Sequence, residues 1–166
     1  MKWQELREQN CSVARSLSVL GDRWTLLVLR ECFLKVTKFD QFKERLGISR
    51  TSLANILSKL VEEGVLNKVP YQQKPTRHEY KITDKGLDLY PMFMELVNWG
   101  NKHYAGDEGV PLLHRHKTCG HHFTPKHICS ECDEEYHATD VSVEKGPGYN
   151  DAWAGNLNFN IDKPEE

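Results

Sequence analysis

The feature that most constrains this chain is a short turn between two amphipathic segments of helical period. Residues 39–46 predict a short helix, and residues 50–63 predict a second helix that ends at Gly64. The turn between them begins at Gly47, which can adopt the positive φ found just past a helix end. It closes at Ser49, which can cap the second helix. Two helices joined by such a turn are typical of a helix-turn-helix motif.

A polar hairpin follows this motif. After Gly64 the apolar period becomes alternating, so residues 65–71 and 77–83 are predicted to be paired strands. Residues 72–76 between them are polar and predict the connecting turn. A hairpin directly after a helix-turn-helix is a wing. The chain is therefore predicted to be mainly α with a small β-hairpin wing, a winged helix-turn-helix fold.

Further helices flank the motif. Residues 11–20 and 22–33 predict two helices separated at Gly21, and Thr83 caps a long helix that reaches about Tyr104. Pro91 inside that segment predicts a kink or a restart, because proline cannot donate the helical hydrogen bond.

The second helix of the motif has a face suited to DNA. At about 100° per residue, its apolar side chains cover one side and short polar or basic side chains the other. Asparagine can bond adenine and arginine guanine in the major groove, and basic wing residues can reach phosphates or the minor groove. The predicted DNA-binding residues are Ser49, Arg50, Thr51, Ser52, Asn55, Lys59, Lys74 and Arg77.

Charge divides the chain into two parts. Up to Tyr104 there are 17 Lys and Arg against 12 Asp and Glu, and from Ala105 on there are 5 against 12. The basic part and the acidic part are expected to meet different partners. The organisation predicted from composition is a winged-helix and dimerisation domain over 1–104, a linker over 105–111, a zinc-ribbon-like module over 112–138 and an acidic, loop-rich tail over 139–166.

Three cysteines and a histidine have metal-ligand spacing in the third of these segments. His116 and Cys119 are separated by two residues, as are Cys129 and Cys132. Two such pairs are how small ribbons hold a tetrahedral, structural Zn²⁺. His116 is favoured as the fourth ligand by its spacing, and the competing histidines are His114, His121, His122, His127 and His137. The alternative is three free thiols in a loosely packed tail.

The motifs together resemble the HxlR type of transcriptional regulator over nearly all of residues 8–104. The matching segments are 11–14, 20–24, 39–42, 47–49, 63–66 and 80–86, with Leu53, Leu57, Leu60 and Trp99. Ser12, Asp22 and Arg23 depart from the usual residues at a helix start. The resemblance implies a dimeric winged-helix repressor or activator on a roughly palindromic operator. Some members have a similar His/Cys extension, and some sense electrophiles or oxidants through a cysteine at the position of Cys11.

Cys11 has two interpretations. It begins a predicted helix with Arg15 one turn further on, and both a helix N-terminus and a cation favour a reactive thiolate. A small electrophile or ligand is then a possible effector. Alternatively, Cys11 is a small packing residue in a dimer interface. Cys32 lies on an apolar helix stripe and is predicted to be core.

The sequence thus predicts a cytoplasmic homodimer that binds double-stranded DNA sequence-specifically. Two-fold symmetry would place two recognition helices about 34 Å apart. The alternative is a dimeric protein–protein interaction module that uses the zinc ribbon. The chain lacks the catalytic motifs that would indicate an enzyme, a membrane-spanning apolar run and a secretory signal.

Overall fold

A computed structural model describes residues 3–149, which contain helices and one antiparallel hairpin. Two units are distinguished, residues up to Phe93 and residues from Met94 onward. The elements are α1 (Trp3–Glu8), α2 (Ser12–Leu20), α3 (Arg23–Phe33), α4 (Phe39–Leu46), α5 (Arg50–Glu62), β1 (Leu66–Gln73), β2 (Thr76–Ile82), α6 (Asp84–Leu87), α7 (Tyr90–Tyr104) and a 3₁₀ turn (Ala138–Asp140). Residues 150–166 of the predicted acidic tail lie outside the described residues.

The core of the first unit forms where α3, α4 and α5 meet the start of β1. Its fully buried side chains include Phe42 of α4, Leu29 of α3 and Leu66 of β1. From α5 it takes Leu53, Ile56, Leu57 and Leu60, which confirms the predicted apolar face. Each such burial contributes about 1.5–3 kcal/mol relative to exposure, so α5 is fixed in rotation about its axis and its polar side faces outward.

Local signals at the helix ends are confirmed. Gly47 has φ +63°, and the Ser49 hydroxyl accepts a hydrogen bond from the Ser52 amide at 3.1 Å. The Asp22 carboxylate accepts from the Trp24 amide at 2.8 Å, and the Thr83 hydroxyl accepts from the Gly86 amide at 3.2 Å. These caps satisfy backbone N–H groups that the first turn of a helix leaves without a partner.

A buried carboxylate connects α3 to the helix-turn-helix. Glu31 is 1% exposed and accepts hydrogen bonds from Arg30 at 2.7 Å and from Arg45 of α4. Burial alone would raise the pKa of Glu31, but the two guanidinium groups outweigh it and lower that pKa. The carboxylate therefore stays charged and connects the two helices.

The wing has a longer first strand, a second strand that begins one residue earlier, and a tighter turn than predicted. Gln73 pairs with Thr76, which leaves only Lys74 and Pro75 at the tip in place of the five-residue turn expected over 72–76. The strand residues next to the tip are polar and look like a loop in the sequence. The reason is that the exposed wing strands bury few side chains on either face. Tyr80 also donates its amide to the Thr37 carbonyl at 2.7 Å, so the segment before α4 pairs with β2.

One predicted interruption of a helix is confirmed, and one helix is present that was not predicted. The segment after Thr83 is divided into α6 and α7, with Pro91 in the first turn of α7, which confirms the predicted restart. The helix α1 was not predicted, because six residues with little apolar periodicity do not indicate a helix by themselves. It packs on α2, and Arg7 of α1 forms an ion pair with Glu63 at the end of α5.

The boundary of the second unit lies inside α7, ahead of the linker predicted at 105–111. The physical reason is that the second half of α7 packs with the residues that follow it. Met94 and Val97 of α7 line a cavity of about 310 Å³ together with Leu112 and Phe123. Among the described residues, no helix has the length and apolar character needed to cross a bilayer.

Candidate nucleic-acid interface

The outer face of α5 is polar, exposed and contiguous. Arg50, Thr51, Ser52 and Asn55 are all exposed, while the opposite side of the helix is buried in the core. These four predicted residues are therefore brought together on one surface. It can present an amide, hydroxyls and a guanidinium to a groove without any movement of the core.

Ser49 lies beside this surface and caps the N-terminus of α5. Its hydroxyl accepts the Ser52 amide as the N-cap and donates to the Ser52 hydroxyl at 2.8 Å. The guanidinium of Arg50 lies 5.1 Å from the centre of the Phe39 ring, a cation–π arrangement that holds it at the start of α5. These side-chain contacts therefore hold the first turn of α5 in place within the protein itself.

Lys59 is placed away from the exposed face. It is half-buried, and its ammonium donates to the Ser18 carbonyl of α2 at 2.6 Å. The structure thus separates Lys59 from the other predicted DNA-binding residues of α5. In this position it fixes the second half of α5 to α2.

The wing places basic groups beside the helix-turn-helix. Lys74 and Arg77 are exposed at and near its tip. Lys38, which was not predicted, lies at the start of α4 with its ammonium 5.0 Å from the centre of the Tyr71 ring on β1. The sequence signal was a basic residue directly before Phe39, but its aromatic partner is distant in sequence.

Cys11 and Cys32 differ in their surroundings. Cys11 is the half-buried N-cap of α2, and its sulfur accepts from the Ala14 amide at 3.5 Å. Arg15 donates to the Gln9 carbonyl at 2.8 Å. Cys32 is buried, and burial, with a smaller effect of the Glu31 carboxylate, raises the pKa of its thiol to about 12. This position confirms Cys32 as core.

This difference predicts selective alkylation. With iodoacetamide at neutral pH we expect Cys11 to be modified in the folded protein, whereas Cys32 stays unmodified because its thiol is buried and protonated. Peptide mass spectrometry after timed exposure measures both sites. In urea both should react. Equal rates at the two cysteines in the folded protein would contradict the expectation.

The second unit contains two turns with the same backbone pattern, here called the knuckles. The first spans 114–123 and the second 127–136, and each is closed by a short antiparallel bridge. Each begins its turn at a predicted metal ligand and has a residue with positive φ directly after the second ligand, Gly120 in one and Asp133 in the other. Three backbone hydrogen bonds recur at equivalent positions. In the first knuckle, amides donate to carbonyls from His116 to His121, from Gly120 to His116 and from Phe123 to His114. In the second knuckle, the equivalent bonds run from Cys129 to Glu134, from Asp133 to Cys129 and from Tyr136 to His127.

Each knuckle brings its own two predicted ligands together. His116 Nδ1 lies 3.2 Å from Cys119 Sγ. The pKa of Cys129 is lowered by the amides of Glu131 and Cys132 and by the Cys132 thiol. Within residues 3–149, no three His, Cys, Asp or Glu side chains converge as a metal-binding group, so the two pairs remain separate.

The competing histidines have other surroundings. His127 Nε2 lies 3.3 Å from the Glu95 carboxylate of α7, and His114 lines the cavity of the second unit. His137 precedes the 3₁₀ turn. Within the described part of the chain, His116 is the one predicted histidine whose ring nitrogen contacts a cysteine sulfur.

Family and sequence comparisons both match this chain to helix-turn-helix transcriptional regulators. The model of the HxlR-like helix-turn-helix family matches residues 19–108. The HTH-type transcriptional regulator Rv3095 of Mycobacterium tuberculosis is 46% identical over 138 residues, which cover 83% of this chain and 87% of that protein. That stretch is longer than residues 1–108, so it includes part of the C-terminal extension. The HTH-type transcriptional regulator YdeP of Bacillus subtilis is 27% identical over 57% of this chain and 75% of its own.

Solved structures show the same architecture. PA1607, described as a candidate transcription factor, has a TM-score of 0.76 at 29% identity, covering 86% of this chain and 99% of its own. The redox regulator HypR in its oxidised form has a TM-score of 0.53 at 25% identity, covering 58% of this chain and all of its own.

Proposed function

This chain belongs to the HxlR-like helix-turn-helix family of transcriptional regulators, and we propose that it binds a roughly palindromic DNA operator as a homodimer. The observation that carries this proposal is the exposed polar face of α5 beside a basic wing. The buried side of α5 anchors it, so this face keeps a fixed orientation toward a groove.

The docking follows from this geometry. The N-terminal half of α5 enters the major groove, where Asn55 and Arg50 can bond base edges and Thr51 can contact phosphate or a thymine methyl. Lys74 and Arg77 of the wing, together with Lys38, supply cations for the phosphate backbone. Phosphate contacts fix the register, and base contacts give the sequence preference.

Apolar side chains left exposed support the homodimer. Val13 of α2 is 66% exposed and Trp99 of α7 is 53% exposed. Leu17 of α2 and Leu96 of α7 are exposed as well. A second copy covering these helices would remove this surface from water. It would also place two copies of α5 about one DNA turn apart.

The test begins with selection of binding sequences from a random duplex library using the full chain. Replacing Asn55 by alanine should then weaken binding to the selected site by about 1–3 kcal/mol, because one bidentate base contact is lost. Fluorescence anisotropy measures the affinity, with Asn67→Ala on the exposed base of the wing as the matched control. Unchanged affinity in Asn55→Ala would remove Asn55 from the reading face.

Salt distinguishes this function from the alternative, a dimeric interaction module. Contacts to several phosphates release counterions, so DNA affinity should fall steeply as salt rises. If the selection yields no enriched sequence and any partner binds independently of salt, the interaction module is the better description.

We further infer that Cys11 makes DNA binding responsive to electrophiles or oxidants. Its place at the N-terminus of α2 and the similarity to HypR, a redox regulator by name, support this. Treatment with a quinone should change the affinity for the selected site in the parent protein and leave Cys11→Ala unaffected. The same change in both proteins would show that Cys11 is not the sensor and serves only as a packing residue.

We also propose that the knuckles together hold one structural Zn²⁺ through His116, Cys119, Cys129 and Cys132. The repeated backbone pattern and the contact between His116 and Cys119 support this ligand set. The knuckles also have little core of their own, since Phe123 and Ile128 are exposed, and a bound metal would supply the missing folding free energy. Elemental analysis should find about one zinc per chain. If protein purified without a chelator contains no metal, the proposed zinc site is wrong.

A further inference from the structure

A small cavity lies in the first unit. It has a volume of about 270 Å³ and is lined by α2, by Val65 just before β1, by Lys85 of α6 and by Leu89 just after α6. Val19, Leu20, Val65 and Leu89 form its apolar walls. Ligand sites of this kind are mostly apolar with a few placed polar groups, and this volume suits a small molecule.

Two cations line the same cavity. Arg15 of α2 and Lys85 of α6 are both exposed. Of the described residues that line the cavity, none carries a carboxylate. Each cation donates to one backbone carbonyl, Arg15 to Gln9 at 2.8 Å and Lys85 to Glu63 at 2.6 Å. Because a guanidinium has five N–H donors and an ammonium three, one carbonyl saturates neither.

Segments that line the cavity also contact the second half of α5. The Ser18 carbonyl of α2 accepts a hydrogen bond from the Lys59 ammonium at 2.6 Å, and the carbonyl that accepts from Lys85 belongs to Glu63, the C-cap of α5. The Val65 amide donates to the Leu60 carbonyl of α5 at 2.9 Å. A lysine that donates to the last carbonyls stabilises a helix end, so a change at Lys85 is transmitted to the recognition helix.

We propose that this cavity binds a small organic carboxylate with a compact apolar body, and that its binding changes the affinity for DNA. The apolar walls take the body, and Arg15 and Lys85 bind the carboxylate. By competing with the Glu63 carbonyl for the Lys85 ammonium, the anion weakens that hydrogen bond and loosens the end of α5. The effect on DNA rests on the proposed function, whereas the binding site itself does not.

The experiment is isothermal titration calorimetry on the full chain, with benzoate as the probe and benzyl alcohol as its neutral counterpart. Benzoate should bind saturably and about tenfold or more tightly than benzyl alcohol, because hydrogen bonds to charged groups are the stronger ones. Arg15→Gln and Lys85→Gln should each lose about this factor for benzoate. Lys102→Gln, an exposed helical lysine of α7, is the control and should bind as the parent does.

Absence of benzoate binding, equal binding of both probes or an equal loss in Lys102→Gln would overturn the proposal. Equal binding would show that Arg15 and Lys85 contribute nothing to recognition and that the cavity offers only apolar contact. The DNA effect has its own measurement: benzoate should alter affinity for the selected site in the parent but not in Arg15→Gln, and an unaltered affinity in the parent would overturn that part. If no DNA site is selected at all, the proposed function fails, while the calorimetry still decides the cavity.

Discussion

Removal of the proposed zinc with a chelator should abolish hydrogen-exchange protection in the knuckles and leave the first unit protected. Structural zinc sites contribute about 10–16 kcal/mol of apparent binding free energy, which in small modules is folding free energy. The knuckle amides are held by short local bonds, such as His116 to His121 at 2.9 Å and Cys129 to Glu134 at 2.9 Å. Without the metal, little buried apolar surface remains to keep these bonds closed. Hydrogen exchange resolved by mass spectrometry or NMR measures each amide.

The first unit supplies the internal control. The Val65 amide, which bonds to Leu60 beside the core, should exchange equally slowly with and without chelator. Cys132→Ser should reproduce the effect of the chelator in the second unit. Protection of the knuckle amides that persists after complete removal of the metal would show that the turns fold without it.

Replacing Gly86 by alanine should destabilise the first unit by about 3 kcal/mol, at the upper end of the range for overpacking. Gly86 is buried in α6, and an added Cβ would lie 2.5 Å from the Val65 carbonyl oxygen and 2.6 Å from Ile82 Cγ1. One of these neighbours is backbone, so the clash cannot be relieved by turning a side chain. Urea unfolding followed by circular dichroism measures the free energy of unfolding.

Gly100→Ala is the matched control. Gly100 lies in α7, and apart from its chain neighbours and the nearby backbone of the helix itself, no described atom lies within 4 Å of a Cβ added there. That variant should be neutral or more stable by up to about 1 kcal/mol, because alanine favours the helix over glycine. Equal stability of the two variants would show that the packing around Gly86 yields more easily than its contacts indicate.

The helix-turn-helix could be predicted from the sequence because its determinants are local. Gly47 and Ser49 act through their own backbone and hydroxyl, and the apolar face of α5 repeats at helical spacing. The exposed positions of Arg50 and Asn55 follow from that periodicity. The family match over residues 19–108 agrees with this prediction.

Other features depend on contacts between distant residues. Lys59 was assigned to the polar face of α5, but its ammonium reaches a carbonyl of α2, since a long side chain can turn toward a neighbouring helix. The helix α1 gains its stability from packing on α2. The match between the two knuckles lies in backbone hydrogen bonds at residues of different type, so comparison of side chains along the chain does not reveal it.

The Ser49 hydroxyl is engaged at the start of α5, where it accepts from the Ser52 amide and donates to the Ser52 hydroxyl, and this limits how much sequence one protomer can distinguish. Arg50, Thr51 and Asn55 remain as the main side chains for base edges, enough for only a few base pairs in each half-site. An operator for this protein should therefore show short conserved blocks separated by tolerant positions. Most of its selectivity would come from the spacing that two-fold symmetry imposes, so inserting a single base pair at the centre should harm binding more than changing most single bases.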